Sequence, residues 1–284
     1  MLKKSQTDNV IQPKEETKNA PTSEILDAFG VTGEPTLLTG GQGTCYRVDD
    51  TVFKPAQNTL EASWIAKINN GLMSNKFRVP KFFQAKDGSW VFQNWTASEF
   101  LVGEHRSGHY TEAIEVSGVF HEALKNIPKP DWFDNKTDVF SLSDKMAWGE
   151  LPLPNFEPSR EPFQKIFRLL KKNRLPNQLV HGDWGVGQIL FHETLPPAVI
   201  DMTPYFRPAD YPIADMIVCT LANSTDIVDL GKDIKNFDQL LLRALLFRTL
   251  TYIGFQIHPK NDRDWTPTIR NYLSLVDPII KKIT

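Results

Sequence analysis

The segment LVHGDWGVGQILFHETLPPAVIDM, residues 179–202, sets His181 and Asp183 two apart in a glycine-rich turn and ends an apolar run on a second aspartate, Asp201. It reads as strand, loop, strand, hairpin turn and strand, with carboxylates where strands end. Such an aspartate can cap a turn or sit as a surface charge. It can also accept a hydroxyl proton or hold a divalent cation. Turn-making does not demand the pair. A second chemical stretch is TGGQGTCYRV, residues 39–48, where successive glycines let the backbone approach phosphate oxygens without a Cβ in the way. No GK[ST] follows and no helix starts there, so it is neither a P-loop nor a dinucleotide fingerprint.

Several elements must position these groups. EILDAFG (24–30) reads as a short helix, TLLT (36–39) as a strand entering the glycines, and CYRVDDTVFKP (45–55) as a hairpin turning at Asp49-Asp50. TLEASWIAKINNGL (59–72) is a helix with Leu60, Trp64 and Ile68 as its apolar stripe. Residues 77–85 and 89–95 are expected as two strands around a turn at Asp87-Gly88. The rest reads as mainly helical. Helical turns over 98–126 break at 107–108, and 127–158 is expected to be irregular. An amphipathic helix covers 158–174 with Phe163, Ile166, Phe167 and Leu170 on one side, and further helices are expected at 211–223, 237–257 and 266–276.

Composition narrows the function classes. With 284 residues, 40% of them hydrophobic, the chain can bury a sizeable core in one large or two smaller domains. A net charge of −2 gives no basic field for nucleic acid, and the seven tryptophans do not interleave with a basic patch. Only Cys45 and Cys219 are present, which excludes a disulfide framework or a paired-cysteine zinc motif and points to an intracellular protein. No run of about 18 apolar residues predicts a membrane span. The polar start has no signal-peptide core, and residues 1–23 are expected to form a flexible tail.

Four stretches stand in a telling order: TGGQGTCYRV (39–48), TVFKP (51–55), HGDWGVGQ (181–188) and PPAVIDM (196–202). Over about residues 37 to 222 the chain resembles the aminoglycoside phosphotransferase-like and choline kinase-like small-molecule kinases of the protein-kinase-like superfamily. The resemblance implies an α+β, two-lobed kinase-like fold. Its small antiparallel-sheet N-lobe would cover 24–95, its mostly helical C-lobe 96–284, and the active site would lie between them. Gly40, Gly41, Gly43 and Thr44 would cover the nucleotide, and Lys54 would contact its phosphates. Lys54 needs a carboxylate to hold it. Between Lys54 and Asp87 the only acidic residue is Glu61. Trp95, Thr96 and Ala97 would run past the adenine edge. Asp183 would orient the acceptor hydroxyl and take its proton, with His181 bracing the loop rather than acting as a second base. Asp201 would hold magnesium. The family's loop closes on Asn; here that position is Gln188, one methylene longer, which ligates after a backbone adjustment, acts through water, or marks weakened transfer.

The implied function is ATP- and Mg2+-dependent phosphoryl transfer to a hydroxyl of a small molecule, in the cytoplasm, with no nucleic acid or membrane partner. No APE-like segment follows Asp201, which sets a conventional protein kinase aside. Two alternatives stay open: a kinase-fold pseudoenzyme binding nucleotide or a protein partner, and adenylyl transfer on the same scaffold. Asp210 and Asp215 in RPADYPIADMI read as loop anchors, Asp215 being able to fix the catalytic loop. His105 and His109 lack a third ligand for zinc, and Cys45 reads as a small buried residue. Asp131, Asp134, Asp138, Asp144 and Glu150 make one loop mildly acidic: a solvated loop, or a lure for a polyamine-like acceptor.

Overall fold

A computed structural model describes residues 20–39, 43–172 and 174–284. In chain order its elements are α1 (Ser23–Ala28), β1 (Thr36–Leu37), β2 (Tyr46–Val48), β3 (Thr51–Pro55), α2 (Thr59–Gly71), β4 (Phe82–Phe83), β5 (Trp95–Glu99), α3 (Tyr110–Leu124), α4 (Val139–Ala147), α5 (Arg160–Leu169), β6 (Gln178–His181), β7 (Ile189–Leu190), β8 (Ala198–Val199), β9 (Pro204–Arg207), α6 (Tyr211–Ala222), α7 (Phe237–Ile257), α8 (Thr266–Ser274) and α9 (Val276–Ile283). They form two compact units. One holds the described residues up to His109 together with Val186–Met202; the other holds Tyr110–Gly185 and Thr203–Thr284. Residues 1–19 of the expected tail lie outside the described residues.

The first unit is built on an antiparallel sheet in the order β1-β2-β3-β5-β4. The β2–β3 hairpin turns at Asp49-Asp50 as expected, with Asp49 in the left-handed region at φ 48°. One face buries Tyr46, Val48, Phe53, Trp95 and Ala97 against Ile25, Leu26 and Phe29 of α1 and its C-terminal end. Phe29 meets Phe53 edge-on at 5.9 Å, and Tyr46 meets Trp95 at 6.1 Å. The β7–β8 hairpin belongs to this unit: Arg78 N–H donates to Pro197 O (2.9 Å) and Val199 N–H to Arg78 O (2.8 Å).

Three expectations shift here. The strand expected at 89–95 instead begins at Trp95, because Gln93 (φ 46°) and Asn94 (φ 61°) form a tight left-handed turn. Phe92 and Trp95 exchange both backbone hydrogen bonds across it, at 2.9 and 2.8 Å. Likewise 77–85 contributes only the two-residue β4. Helix α2 occupies its expected range, with Leu60 of its stripe 62% exposed and Trp64 and Ile68 half-buried. Its end is held by polar bonds: Asn70 Nδ2 donates to Phe82 O (2.9 Å), Phe82 N–H to Asn70 Oδ1 (2.7 Å), and Lys81 Nζ to the carbonyls of Asn69 and Leu72 (2.7 and 2.6 Å). An ammonium on late helical carbonyls also opposes the negative dipole end.

The second unit is helical around α7, which packs against α4, α6 and α8. Leu240, Leu241, Leu242, Leu245, Leu246 and Leu250 are fully or almost fully buried, each worth about 1.5–3 kcal/mol of transfer free energy. By length and composition α7 could cross a membrane, but 83% of its most apolar window is buried inside the structure, as in a core helix. Helix α4 lies within the stretch expected to be irregular. Asp138 supplies its N-cap, accepting from Ser141 N–H at 2.9 Å and Ser141 Oγ at 2.6 Å. β9, also unforeseen, pairs antiparallel with β6 from Gln178↔Arg207 to His181↔Pro204. The helical turns expected from residue 98 begin only at Tyr110, and α9 follows α8 without having been foreseen.

Candidate functional site

In the first unit, strand β3 carries Lys54 and the chain leaving β8 carries Asp201, 147 positions later, and the two form an ion pair at 2.5 Å. Sheet register fixes the lysine: Lys54 opposes Thr96 of β5, whose Oγ1 donates to Lys54 O at 3.1 Å. Asp201 sits at φ 56°, a conformation aspartate tolerates better than most residues. The two side chains are 47% and 49% exposed. A pair so open to solvent contributes only about 0–1 kcal/mol to stability, so stability does not account for bringing these residues together.

Gln188 ends a 3-10 turn at Val186–Gln188, and its carbonyl accepts from Ile200 N–H at 3.0 Å. The register Ile189↔Val199 thus sets Gln188 across the ladder from the residue just before Asp201. Magnesium takes oxygen ligands and is usually held by one or two carboxylates, with phosphates and waters filling the rest. A half-exposed carboxylate that already faces a cation, with an amide-bearing residue beside it, fits that donor chemistry. Among the described residues no cluster of three or more His, Cys, Asp or Glu forms a closed metal cage. Burial pushes the Cys45 thiol pKa up, partly offset by Lys54, which disfavours the thiolate.

Gly40 and Gly41 lie outside the described residues; Gly43 is described, at φ 65°, followed by half-buried Thr44. Glu61 is half-buried in the first turn of α2, where the Asn58 side chain caps Leu60 N–H (3.0 Å) and Glu61 N–H (3.1 Å). Asp201 is one carboxylate on Lys54. Trp95, Thr96 and Ala97 are corrected in position: they lie buried within β5, paired with Pro55, Lys54 and Phe53 of β3. Their place in the ladder follows from the Gln93-Asn94 turn, and the chain leaves the strand only at Phe100.

In the second unit β6 delivers the loop His181-Gly182-Asp183. A Cβ on Gly182 would come within 1.8 Å of Tyr205 Cδ2, so only glycine lets the loop lie on β9. Gly182 N–H donates to Thr203 O at 2.7 Å. His181 is fully buried, and its Nδ1 accepts from Asp183 N–H at 3.3 Å, which makes it a brace. His181 N–H donates to Nε2 of buried His121 (3.1 Å), whose Nδ1 lies 2.9 Å from Ser117 Oγ. Accepting at Nε2 requires neutral imidazole, and burial pushes the His121 pKa down to about 3, with His181 acting in the same direction. Trp184 fills the space between, stacked on Phe120 at 5.8 Å and edge-on to His181 at 5.7 Å.

The Asp183 side chain is 44% exposed, and its Oδ1 accepts from an Nη of Arg248 at 3.0 Å. Arg248, on α7, is buried and also forms a two-point pair with Asp215 of α6: Nε to Oδ1 at 2.8 Å, and the same Nη to Oδ2. Burial raises the Asp215 pKa to about 6 against the pull of Arg248. Burial also works against the Arg248 charge, yet Asp215, Cys219 and Asp183 hold its pKa well above the ordinary value. Asp215 therefore does reach the loop, by way of an arginine that sequence reading missed. The available signal was two arginines, 243 and 248, inside an apolar 21-residue helix.

The acidic loop is largely consumed internally. Asp138 caps α4, Asp134 pairs with Lys129 at 2.6 Å, and Asp144 and Glu150 both clamp buried Arg207. Nothing in that arrangement marks it as a polycation lure.

In fold, this combination of a small antiparallel sheet and a helical unit is similar to solved aminoglycoside phosphotransferases and choline/ethanolamine kinases, the fold class that the sequence motifs implied. Among solved structures, an ADP-bound aminoglycoside phosphotransferase aligns over 89% of this chain and 95% of its own at 16% identity, TM-score 0.55. An ethanolamine kinase from Plasmodium vivax aligns over 88% and 83% at 13% identity, TM-score 0.56. A microcompartment-associated aminopropanol kinase aligns over 91% and 96% at 12% identity, TM-score 0.56. No family model and no curated protein matches the chain.

Proposed function

We propose that the protein is an ATP- and Mg2+-dependent phosphotransferase acting on a hydroxyl group of a small molecule. The observation that carries this reading is the Lys54–Asp201 pair, a cation and a carboxylate 147 positions apart, open to solvent and of little value to stability. Lys54 meets the nucleotide phosphates, and Glu61 is the carboxylate that holds it in position. Asp201 and Gln188 hold magnesium, which when bound neutralises charge on the phosphate oxygens. Gly43 and Thr44, with Gly40 and Gly41, cover the phosphates. The adenine edge meets backbone beyond Glu99 rather than Trp95, Thr96 and Ala97, whose places are inside the sheet. Asp183 orients the acceptor hydroxyl and takes its proton as the oxygen bonds to the γ-phosphorus and the bond to the β-phosphate oxygen breaks. A supply of ATP puts such an enzyme in the cytoplasm.

Gln188 favours a second reading, a nucleotide-binding pseudoenzyme, because its longer side chain stands where an asparagine is expected. The test is a screen for transfer of label from γ-labelled ATP to amino alcohols, sugars and aminocyclitols, run with wild type and Asp183→Asn. Labelled product from wild type, reduced at least about 100-fold in the variant, supports transfer. Nucleotide binding without transfer or phosphate release would favour the pseudoenzyme.

A further inference from the structure

We infer that Arg248 is a positioning residue for the reaction, holding the Asp183 carboxylate in the orientation that an acceptor hydroxyl requires. The inference rests on the reading that Asp183 serves the acceptor, and it goes further by assigning a group 65 positions away on another helix.

The geometry separates what this arginine does from ordinary core packing. Asp215 is fully buried and Arg248 is 5% exposed, so that pair is internal; Asp183, at 44%, is the end of the network that reaches solvent. A guanidinium is a planar fork with fixed donor directions. Its Nε and one Nη are set by the two oxygens of Asp215, which fixes the ring plane. The contact from that Nη to Asp183 Oδ1 therefore comes from a direction that the exposed aspartate cannot choose for itself. Meanwhile the backbone of the loop has separate restraints: His121 Nε2 on His181 N–H, Thr203 O on Gly182 N–H, and His181 Nδ1 on Asp183 N–H. Loop path and carboxylate direction are thus held by different groups, and Arg248 serves the second. A lysine would keep the charge but could not span both carboxylates as a fork.

Removing the arginine alone would leave Asp215 buried without its partner and could prevent folding. The decisive variant is therefore Arg248→Met with Asp215→Leu, which replaces a buried ion pair by apolar groups, an exchange that folds commonly accept. Arg248→Lys is made alongside. Release of γ-phosphate from Mg-ATP is measured, with water standing in for the acceptor, together with KM for ATP. We expect turnover to fall about 100-fold in the double variant, the scale of a misplacement of about 1 Å, with KM for ATP within about twofold, and the lysine variant to lie between. Turnover within about threefold of wild type in the folded double variant would overturn the inference. A wild type that binds Mg-ATP but neither releases phosphate nor transfers it to any screened acceptor defeats the transfer reading instead. In that case the crystal structure of the double variant decides: Asp183 rotated or in several conformers over an unchanged 181–185 backbone supports the positioning role, and a carboxylate still in place overturns it.

Discussion

The ion pairs Lys54–Asp201 and Arg248–Asp215, one in each unit, should behave oppositely when broken, and the contrast follows from exposure. Lys54 and Asp201 are about half exposed, so Lys54→Met removes an interaction worth about 0–1 kcal/mol. Arg248 and Asp215 are 5% and 0% exposed, so Asp215→Ala leaves a guanidinium in the interior with only the outlying Asp183 to meet it. Breaking a buried pair from one side costs about 3–5 kcal/mol, most of it the stranded charge. For a folding unit of 150–250 residues, 1 kcal/mol moves Tm by about 2–4 °C. Asp215→Ala is therefore expected to lower Tm by about 6–20 °C and Lys54→Met by no more than about 4 °C. Removing both partners, in Arg248→Met with Asp215→Leu, should recover most of the loss. Differential scanning calorimetry on the variants reads this directly. A fall under about 2 °C for Asp215→Ala, or equal falls for Asp215→Ala and Lys54→Met, would refute the assignment of one pair to the core and the other to solvent.

Three further outcomes are expected. His121 is neutral in the fold with its pKa pushed down to about 3, so its stability contribution is complete above pH about 6.5 and is lost as pH falls, by up to about 1.4 kcal/mol per pH unit. Asp215, raised to about 6, works in the opposite sense between pH about 4 and 6, losing stability as pH rises. The comparison is therefore wild type against His121→Gln in urea at each pH from 7 to 5, and parallel curves would contradict the buried neutral imidazole. Gly182→Ala forces a methyl into the Tyr205 ring and should cost at least about 2 kcal/mol in urea unfolding, with a neutral result contradicting the close approach. Cys45, its thiol kept protonated by burial, should react with an aromatic disulfide reagent at pH 7.5 far more slowly than free cysteine, and an equal rate would contradict its placement.

What could be read from the sequence depended on where each signal is stored. The helix over 237–257 was legible to the residue because a proline-free stretch so rich in leucine has few other fates. The Asp49-Asp50 hairpin and the strands around HETLPP were legible from local turn chemistry. Gln93-Asn94 was a turn signal of the same kind that was passed over, and missing it moved one strand and displaced Trp95, Thr96 and Ala97. Helix α2 was located correctly, but the polar bonds of Asn70 and Lys81 that hold its end were not foreseen. Among the candidate residues, Lys54, Asp183, Gln188 and Asp201 stood out through motif order. Arg248 and His121 did not, because each meets the loop across 60 or more positions and neither lies in a motif. Such contacts exist only once the helices have packed.

The central claim is that Lys54 and Asp201 form a magnesium–nucleotide site, and calorimetric titration of ATP into the protein tests it most directly. Wild type should bind ATP in the presence of Mg2+ and more weakly when EDTA replaces the metal. Asp201→Asn should lose most of that metal dependence while keeping a Tm within about 4 °C of wild type, since the Lys54 pair contributes so little to the fold. A folded wild type that does not bind Mg-ATP, or an Asp201→Asn variant that binds it with unchanged affinity and metal dependence, would contradict the account.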